Sequence, residues 1–279
     1  MRDFHINTIS FEEGALHNLV CIKHTPDSAA TMFVENGLVS WGDAPMVVNP
    51  WDEYAIEEAL RVKDKFGGSV TVLTMGPESS KEALKTAIAM GCDHGILISE
   101  ESMESYDARI TSLVIARAIE KLDNVQIVFF GKQAIDGDTG LVPMSVAHGL
   151  GWTGFSYVAE LSGIDVENAH ISLVRLLEEG KQSCSGKLPA VISVVKEINE
   201  PRYPSFVGIR KASKAEVEVF TLDDLKLNDQ ITSDNNGSLN WSEIQEIPRK
   251  STDAEVLDGS NMNSIAAQLV EKLVEDKVI

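Results

Sequence analysis

Val125-Gln126-Ile127-Val128-Phe129-Phe130-Gly131-Lys132-Gln133-Ala134-Ile135-Asp136-Gly137-Asp138-Thr139-Gly140 decides how the rest of the chain is read. The first six residues form an apolar run of strand length. The next ten are rich in glycine and carboxylate. Met144 to Leu150 then reads as a short helix that stops near Gly149 and Gly151. The stretch is therefore a strand–loop–helix joint. Backbone N–H groups at such a joint, backed by a helix N-terminus, hold a phosphate or another anion. Neither Gly-x-x-x-x-Gly-Lys-Ser/Thr nor Gly-x-Gly-x-x-Gly is present. Without further support, an ordinary strand–helix turn explains the same residues.

Upstream, strands and helices alternate. Leu19 to Ile22 is a strand, followed by the turn signal Lys23 to Asp27. Residues 28–46 form a hairpin or irregular excursion, with Asn36-Gly37 as a tight-turn pair. Met46 to Val48 leads into Asn49-Pro50-Trp51-Asp52-Glu53. Here Asn49 suits a helix N-cap, Pro50 the first turn, and the two acids the positive end of the dipole. Ala55, Ile56, Ala59, Leu60 and Phe66 recur at helical spacing, and Glu57 and Arg61 are placed for an ion pair. Ser69 to Thr74 is a strand. Ser79-x-x-Glu82 is a capping box that opens a helix with Leu84, Ala87 and Ile88 on its apolar face. His94 to Ile98 is a strand, Ser99 to Ser105 an acidic loop, and Ile110 to Leu122 a third helix. This order implies βαβ units and a parallel sheet. Ligands in such sheets bind beyond the carboxyl ends of the strands. The loops after Ile22, Val48, Thr74 and Phe130 should therefore share one rim.

Beyond Gly151 the pattern changes. Phe155–Leu161 and Ala169–Leu177 alternate without a helix between them, so they predict an antiparallel pair at the sheet edge. Leu188 to Val195 is a buried strand. Asn199 to Pro204 is a turn-rich loop, and Arg210, Lys211 and Lys214 make a local basic cluster. From about Leu222 the chain becomes a polar arm, through Asp229–Asn240 and Pro248-Arg249-Lys250. It ends in an amphipathic helix marked by Ile265, Ala266, Leu269, Val270 and Leu273.

The 279 residues carry 43 acidic against 24 basic side chains, a net charge of −19. That disfavours a nucleic-acid surface and an anionic membrane surface. Backbone dipoles still allow a nucleotide site. Cys21, Cys92 and Cys184 form no Cys-x-x-Cys pair, and a sparse odd count suits a reducing compartment. No apolar run reaches membrane-span length, and residues 1–17 lack a secretory core; a cytoplasmic location is expected. His24, His94 and His148 lack metal-ligand spacing. Asp136 and Asp138 read as turn residues that cap backbone N–H groups. No Gly-x-Ser-x-Gly and no acid/base constellation is present, so the chain reads as a nucleotide-holding or partner-binding α/β protein.

These blocks resemble the beta subunit of electron transfer flavoprotein. The likeness rests on Leu19-Val20-Cys21-Ile22-Lys23, Asn49 to Glu53 with Ala55 to Ala59, Gly91-Cys92-Asp93, Gly131 to Thr139, Leu188 to Val191, and Asn199 to Tyr203 with the basic stretch after it. All stand in the family's order from about Leu19 to Phe220. The resemblance implies an α/β, parallel-sheet, Rossmann-like (adenine nucleotide α-hydrolase-like) nucleotide-binding domain over 18–220. Residues 1–17 read as an extension without a counterpart in the family, and the resemblance also implies a C-terminal extended arm and helix over 221–279 that wrap an alpha subunit. It implies FAD shared with that alpha subunit, and AMP on the beta chain. The nucleotide site it carries over is Cys21, Asn49, Pro50, Trp51, Asp52, Met75 and Gly131, Lys132, Gln133, Ala134, Ile135, Asp136, Gly137, Asp138, Thr139, Gly140, Leu141 and Val142. Tyr203, Phe206, Lys211 and Lys214 would recognise flavin-dependent dehydrogenases, with electrons passing on to a quinone oxidoreductase or another acceptor. No catalytic residue and no metal is implied.

Departures stand at Gly137, where many members have Asp, and at Leu141, near which many have Gln. Electron-bifurcating members carry a Gly-Ala-Asp-Thr-type block where this chain has Glu101 to Ala108, which favours AMP over a second FAD. A bifurcating form with that second FAD and NADH oxidation stays the alternative. A homodimeric nucleotide sensor and an adenylating enzyme are the competing classes; a sensor needs no outward-reaching arm, and no pyrophosphate loop with an activating base is found.

Overall fold

The computed structural model describes residues 16–35, 37–99, 106–228, 230–231, 244–246 and 254–279. Nearly all of the N-terminal extension, Asn36 of the tight turn, the acidic loop beyond Ser99 and most of the polar arm lie outside the described residues.

The strands are β1 His17–Ile22, β2 His24–Pro26, β3 Phe33–Glu35, β4 Leu38–Ser40, β5 Met46–Val48, β6 Ser69–Met75, β7 His94–Ile98, β8 Val125–Gly131, β9 Thr153–Asp165, β10 His170–Leu177, β11 Gly180–Lys187, β12 Ala190–Val194 and β13 Val217–Phe220. The helices are α1 Pro50–Phe66, α2 Lys81–Met90, α3 Ala108–Glu120, α4 Val142–Leu150, α5 Phe206–Ala212 and α6 Met262–Glu275. Nine strands form one sheet in the order β11-β10-β9-β12-β8-β1-β6-β7-β13. From β9 to β13 every neighbour is parallel; β10 and β11 add an antiparallel ribbon at one edge.

The apolar runs of the central strands follow from this layering. A parallel sheet covered on both faces must be hydrophobic on both. All six residues of β1 are buried. Val20 and Ile22 point to the core under α1 and α2, whereas Leu19 and Cys21 point to the core under α3. Phe129 on β8 is fully buried in the first core and Val128 in the second.

The strand order reverses at β1. The chain runs from β1 outward through β6 and β7, then returns to place β8 and β12 on the other side of β1. The carboxyl ends of β1 and β8 therefore flank the topological switch point, where such sheets form a crevice.

The structure corrects several expectations. β5 is not part of the main sheet; it pairs antiparallel with β2, so the Val48 step belongs to the excursion. Its end still reaches the rim, because Asn49 N–H donates to the Lys23 carbonyl at 2.9 Å. β11, whose sequence GKQSCSGK is almost wholly polar, pairs along its full length with β10. The segment after Pro204 is a short helix, α5, capped by Ser205 Oγ, which accepts from Gly208 N–H at 2.9 Å. The expected box at Ser79 makes no side-chain cap; a 3-10 turn, Glu78–Ser80, opens α2 instead.

Candidate functional site

The rim is assembled by two side chains of the α1 start. Asn49 occupies the N-cap position but makes no capping bond. Its amide bridges to the loop after β8: Nδ2 donates to the Gln133 carbonyl at 2.9 Å and Oδ1 accepts from Ile135 N–H at 3.2 Å. Asp52 is buried and joins the two central strands. Its carboxylate accepts from Lys23 N–H at 2.7 Å and from Gly131 N–H at 3.1 Å. Burial pushes the Asp52 carboxyl up to about 7, against the pull of these N–H groups, Asn49 and the Lys23 charge. Gly131 has no room for a side chain, since a Cβ there would lie 2.5 Å from both Asp52 Oδ1 and the Trp51 carbonyl carbon.

Past this clamp the loop opens. Lys23 Nζ pairs with Asp136 Oδ2 at 2.6 Å across the crevice. Gln133 donates to the Asp138 carboxylate, and Asp138 N–H to the Ala134 carbonyl. Gly137, Asp138, Thr139, Gly140 and Leu141 are exposed. Gly140 stands at φ +59 and Leu141 at −85, a succession of opposite hand of the kind that builds backbone N–H concavities. The pair immediately precedes α4, whose first N–H groups have no partner within the helix.

Among the described residues, side-chain atoms of Asn18, Thr25, Ser69, Asp136 and Asn199 are buried without a partner. Of these, Asp136 Oδ1 and Thr25 Oγ1 belong to the segments that form the rim. Buried polar atoms are paired in most folded chains, so each of these atoms has a hydrogen-bonding capacity that the chain itself does not use.

The remaining predicted residues divide. Pro50 begins α1. Met75 closes β6 and packs against the second core. Cys21 is buried there, and its thiol is pushed well up by burial and by Asp52, so it shapes the site from behind. The Lys132 side chain turns to the other flank of β8, over the Trp51 and Tyr157 rings. Lys23 was legible only within a matching block, and Thr25 and Tyr157 carried no signal.

The predicted recognition residues lie on the α5 segment. Tyr203 and Phe206 are 93% and 94% exposed, and Lys214 is exposed. Lys211 Nζ donates to the Cys92 carbonyl at 3.3 Å. The loop before them is fixed to α1: Arg202 grips Glu57 through Nε at 2.8 Å and Nη2 at 3.1 Å, and Asp64 at 2.9 Å. Those partners hold the Arg202 guanidinium well above its ordinary range. Glu57 thus serves Arg202, not Arg61 as its spacing suggested; Arg61 lies 3.5 Å from Glu58. Among the described residues no group of acids, cysteines and histidines could hold a metal ion, and no helix is long and apolar enough to cross a membrane.

A mostly parallel sheet covered on both faces, with a switch-point crevice between β1 and β8, defines the class: an α/β protein of the Rossmann-like kind. The sequence profile described as electron transfer flavoprotein domain matches residues 39–225. The chain is 36% identical over 264 residues to electron transfer flavoprotein subunit beta of Thermoanaerobacterium thermosaccharolyticum, covering 94% of this chain and 99% of that one. It is 37% identical over 210 residues to protein FixA of Azotobacter vinelandii, 74% of each. It is 33% identical over 267 residues to subunit CarD of the caffeyl-CoA reductase-Etf complex of Acetobacterium woodii, 94% of this chain and 99% of that one. The chain belongs to the electron transfer flavoprotein family, on the beta-subunit side, and its role is electron transfer.

Proposed function

We propose that this chain is the beta half of a heterodimeric electron carrier. An alpha subunit holds FAD, this chain covers the isoalloxazine side, and the crevice between β1 and β8 holds AMP. FAD supplies the redox chemistry when bound; the polypeptide contributes binding and electrostatics. The observation that carries the nucleotide assignment is the pairing of the N–H concavity at Gly140–Val142 with the orphan acceptors Asp136 Oδ1 and Thr25 Oγ1. In this reading residues 18–220 are the nucleotide-binding domain and 221–279 the arm that wraps alpha. Tyr203, Phe206 and Lys214 meet flavin-dependent dehydrogenases, an exposed aromatic pair beside a cation being the composition of a binding hot spot. A quinone oxidoreductase is the acceptor.

The test is the cofactor content of the complex purified with its alpha subunit, by heat release and chromatography. One FAD and one AMP per heterodimer is the expected result. Two FAD and no AMP would replace the AMP assignment with a second flavin. A homodimer of this chain with nucleotide and no flavin would overturn the carrier reading.

A further inference from the structure

At the end of α1 remote from the crevice, a groove of about 400 Å³ runs between the helix and β9. Val62 and Phe66 line it from α1, and Leu161 and Ile164 from β9. The acids along it are already engaged. Asp64 accepts from Arg202 Nη2 at 2.9 Å, and Glu58 from Asn199 Nδ2 at 3.0 Å. Arg61 Nη1 lies 3.5 Å from Glu58 and donates to the Ile198 carbonyl at 3.3 Å. Lys65 is different. It is exposed, its Nζ stands 5.1 Å from the Phe66 ring centroid, and it makes no ion pair among the described residues. The groove thus offers apolar wall and one unspent cation.

The chain enters β1 against this same end of α1. Leu16 is 2% exposed, and its carbonyl accepts from Ser69 N–H at 2.9 Å. Gly68, two residues past Phe66, packs so closely on Leu16 that a Cβ there would lie 1.9 Å from the Leu16 carbonyl oxygen. Upstream of Leu16 the sequence reads Ile9-Ser10-Phe11-Glu12-Glu13-Gly14-Ala15. In an extended chain Ile9, Phe11 and Glu13 share one face. The step from Phe11 to Leu16 spans at most about 17 Å, so the groove is within reach. Two apolar side chains followed by a carboxylate match apolar walls beside a lone ammonium.

We propose that the groove is the docking site of the chain's own N-terminal stretch: Ile9 and Phe11 pack against Phe66, Leu161 and Ile164, and Glu13 pairs with Lys65. The contact fastens β9, and with it the β10–β11 ribbon, to the end of α1 opposite the crevice. It is independent of the beta-subunit reading, because residues 1–17 have no counterpart in that family.

The test is disulfide trapping in the full chain with diamide as oxidant, in a Cys184→Ser background that leaves only the buried Cys21 and Cys92. Phe11→Cys is paired with Ile164→Cys in the groove. The control pairs it with Glu218→Cys, an exposed position on β13 at the opposite edge of the sheet. Lys65→Cys is a second groove site, exposed, so that its change leaves the core intact. Both groove pairs are expected to form an intrachain disulfide roughly tenfold faster than the control, because a docked segment has the higher effective concentration. Lys65→Glu is expected to slow trapping at position 164. Equal rates in groove and control pairs, or no disulfide in any pair, would overturn the proposal. So would disulfides between chains in the groove pairs, which would seat a second copy's segment there.

Discussion

Helices α3 and α6 obey the same local rules and have opposite fates. Each begins on a side-chain cap: Asp107 Oδ1 accepts from Ile110 N–H at 2.9 Å, and Asn261 Oδ1 from Ser264 N–H at 3.0 Å. Each repeats apolar residues every three to four positions. Yet α3 buries Ile110, Val114, Ile115, Ala118 and Ile119 against the sheet, whereas α6 buries no residue, and its Leu269 is 48% exposed. An apolar stripe tells that a face wants covering, not what covers it. For α3 the cover is the sheet of its own chain. For α6 the reading offered above makes it the alpha subunit.

That contrast breaks most readily by truncation. Ile110→Ala in α3 is expected to lower unfolding free energy by roughly 2–5 kcal/mol in urea titration, from lost burial and the cavity left behind. A change below roughly 1 kcal/mol would mean that α3 is no better packed than α6.

Helix α1 is a third case, held at its start by polar side chains, and pH sharpens the comparison there. The Asp52 carboxyl titrates near 7 in the fold against an ordinary value of 3.8. Between those values the folded chain binds the proton more tightly than the unfolded chain. Asp52 therefore costs stability as pH rises through about 7 and ceases to do so toward pH 4. The full difference is about 4 kcal/mol. Asp52→Asn should flatten the fall in stability between about pH 4 and 7; an unaltered slope would assign it to other groups. His17, whose ring burial holds below its ordinary value, acts in the opposite sense, destabilising the fold as pH falls through 6.5.

Asn49→Ala strands the Gln133 carbonyl and Ile135 N–H, and is expected to cost roughly 1–3 kcal/mol and to speed loss of bound nucleotide on dialysis of the complex. Unaltered nucleotide retention would separate the clamp from the crevice. The smallest effect is expected for Leu269→Ala in α6: within about 0.5 kcal/mol on the chain alone, with weaker heterodimer assembly by sedimentation. A large loss of stability in the isolated chain would show α6 packed on its own domain.

Much of this molecule was written locally. Apolar runs at β1, β8 and β12 marked their strands because a sheet covered on both faces favours continuous hydrophobic stretches, and alternation with β-branched residues marked β6. Helical spacing and breaker glycines set α1 to α4, and the ten residues from Gly131 marked the rim. Other features depended on partners remote in sequence. Asn49 looked like a cap because caps are local, but its amide is claimed by a loop 84 residues away. Glu57 had Arg61 in reach along the helix and took Arg202, whose fork offers two donors. β11 has too few apolar residues to announce itself and exists by pairing with β10. The bulge at Tyr157, where two residues of β9 span one of β12, arises from strand register, which no single strand encodes. The amino-acid sequence by itself determined the elements and the place of the loop; the fold alone decided which buried polar atoms met each other and which, like Asp136 Oδ1 and Thr25 Oγ1, found no partner in the chain.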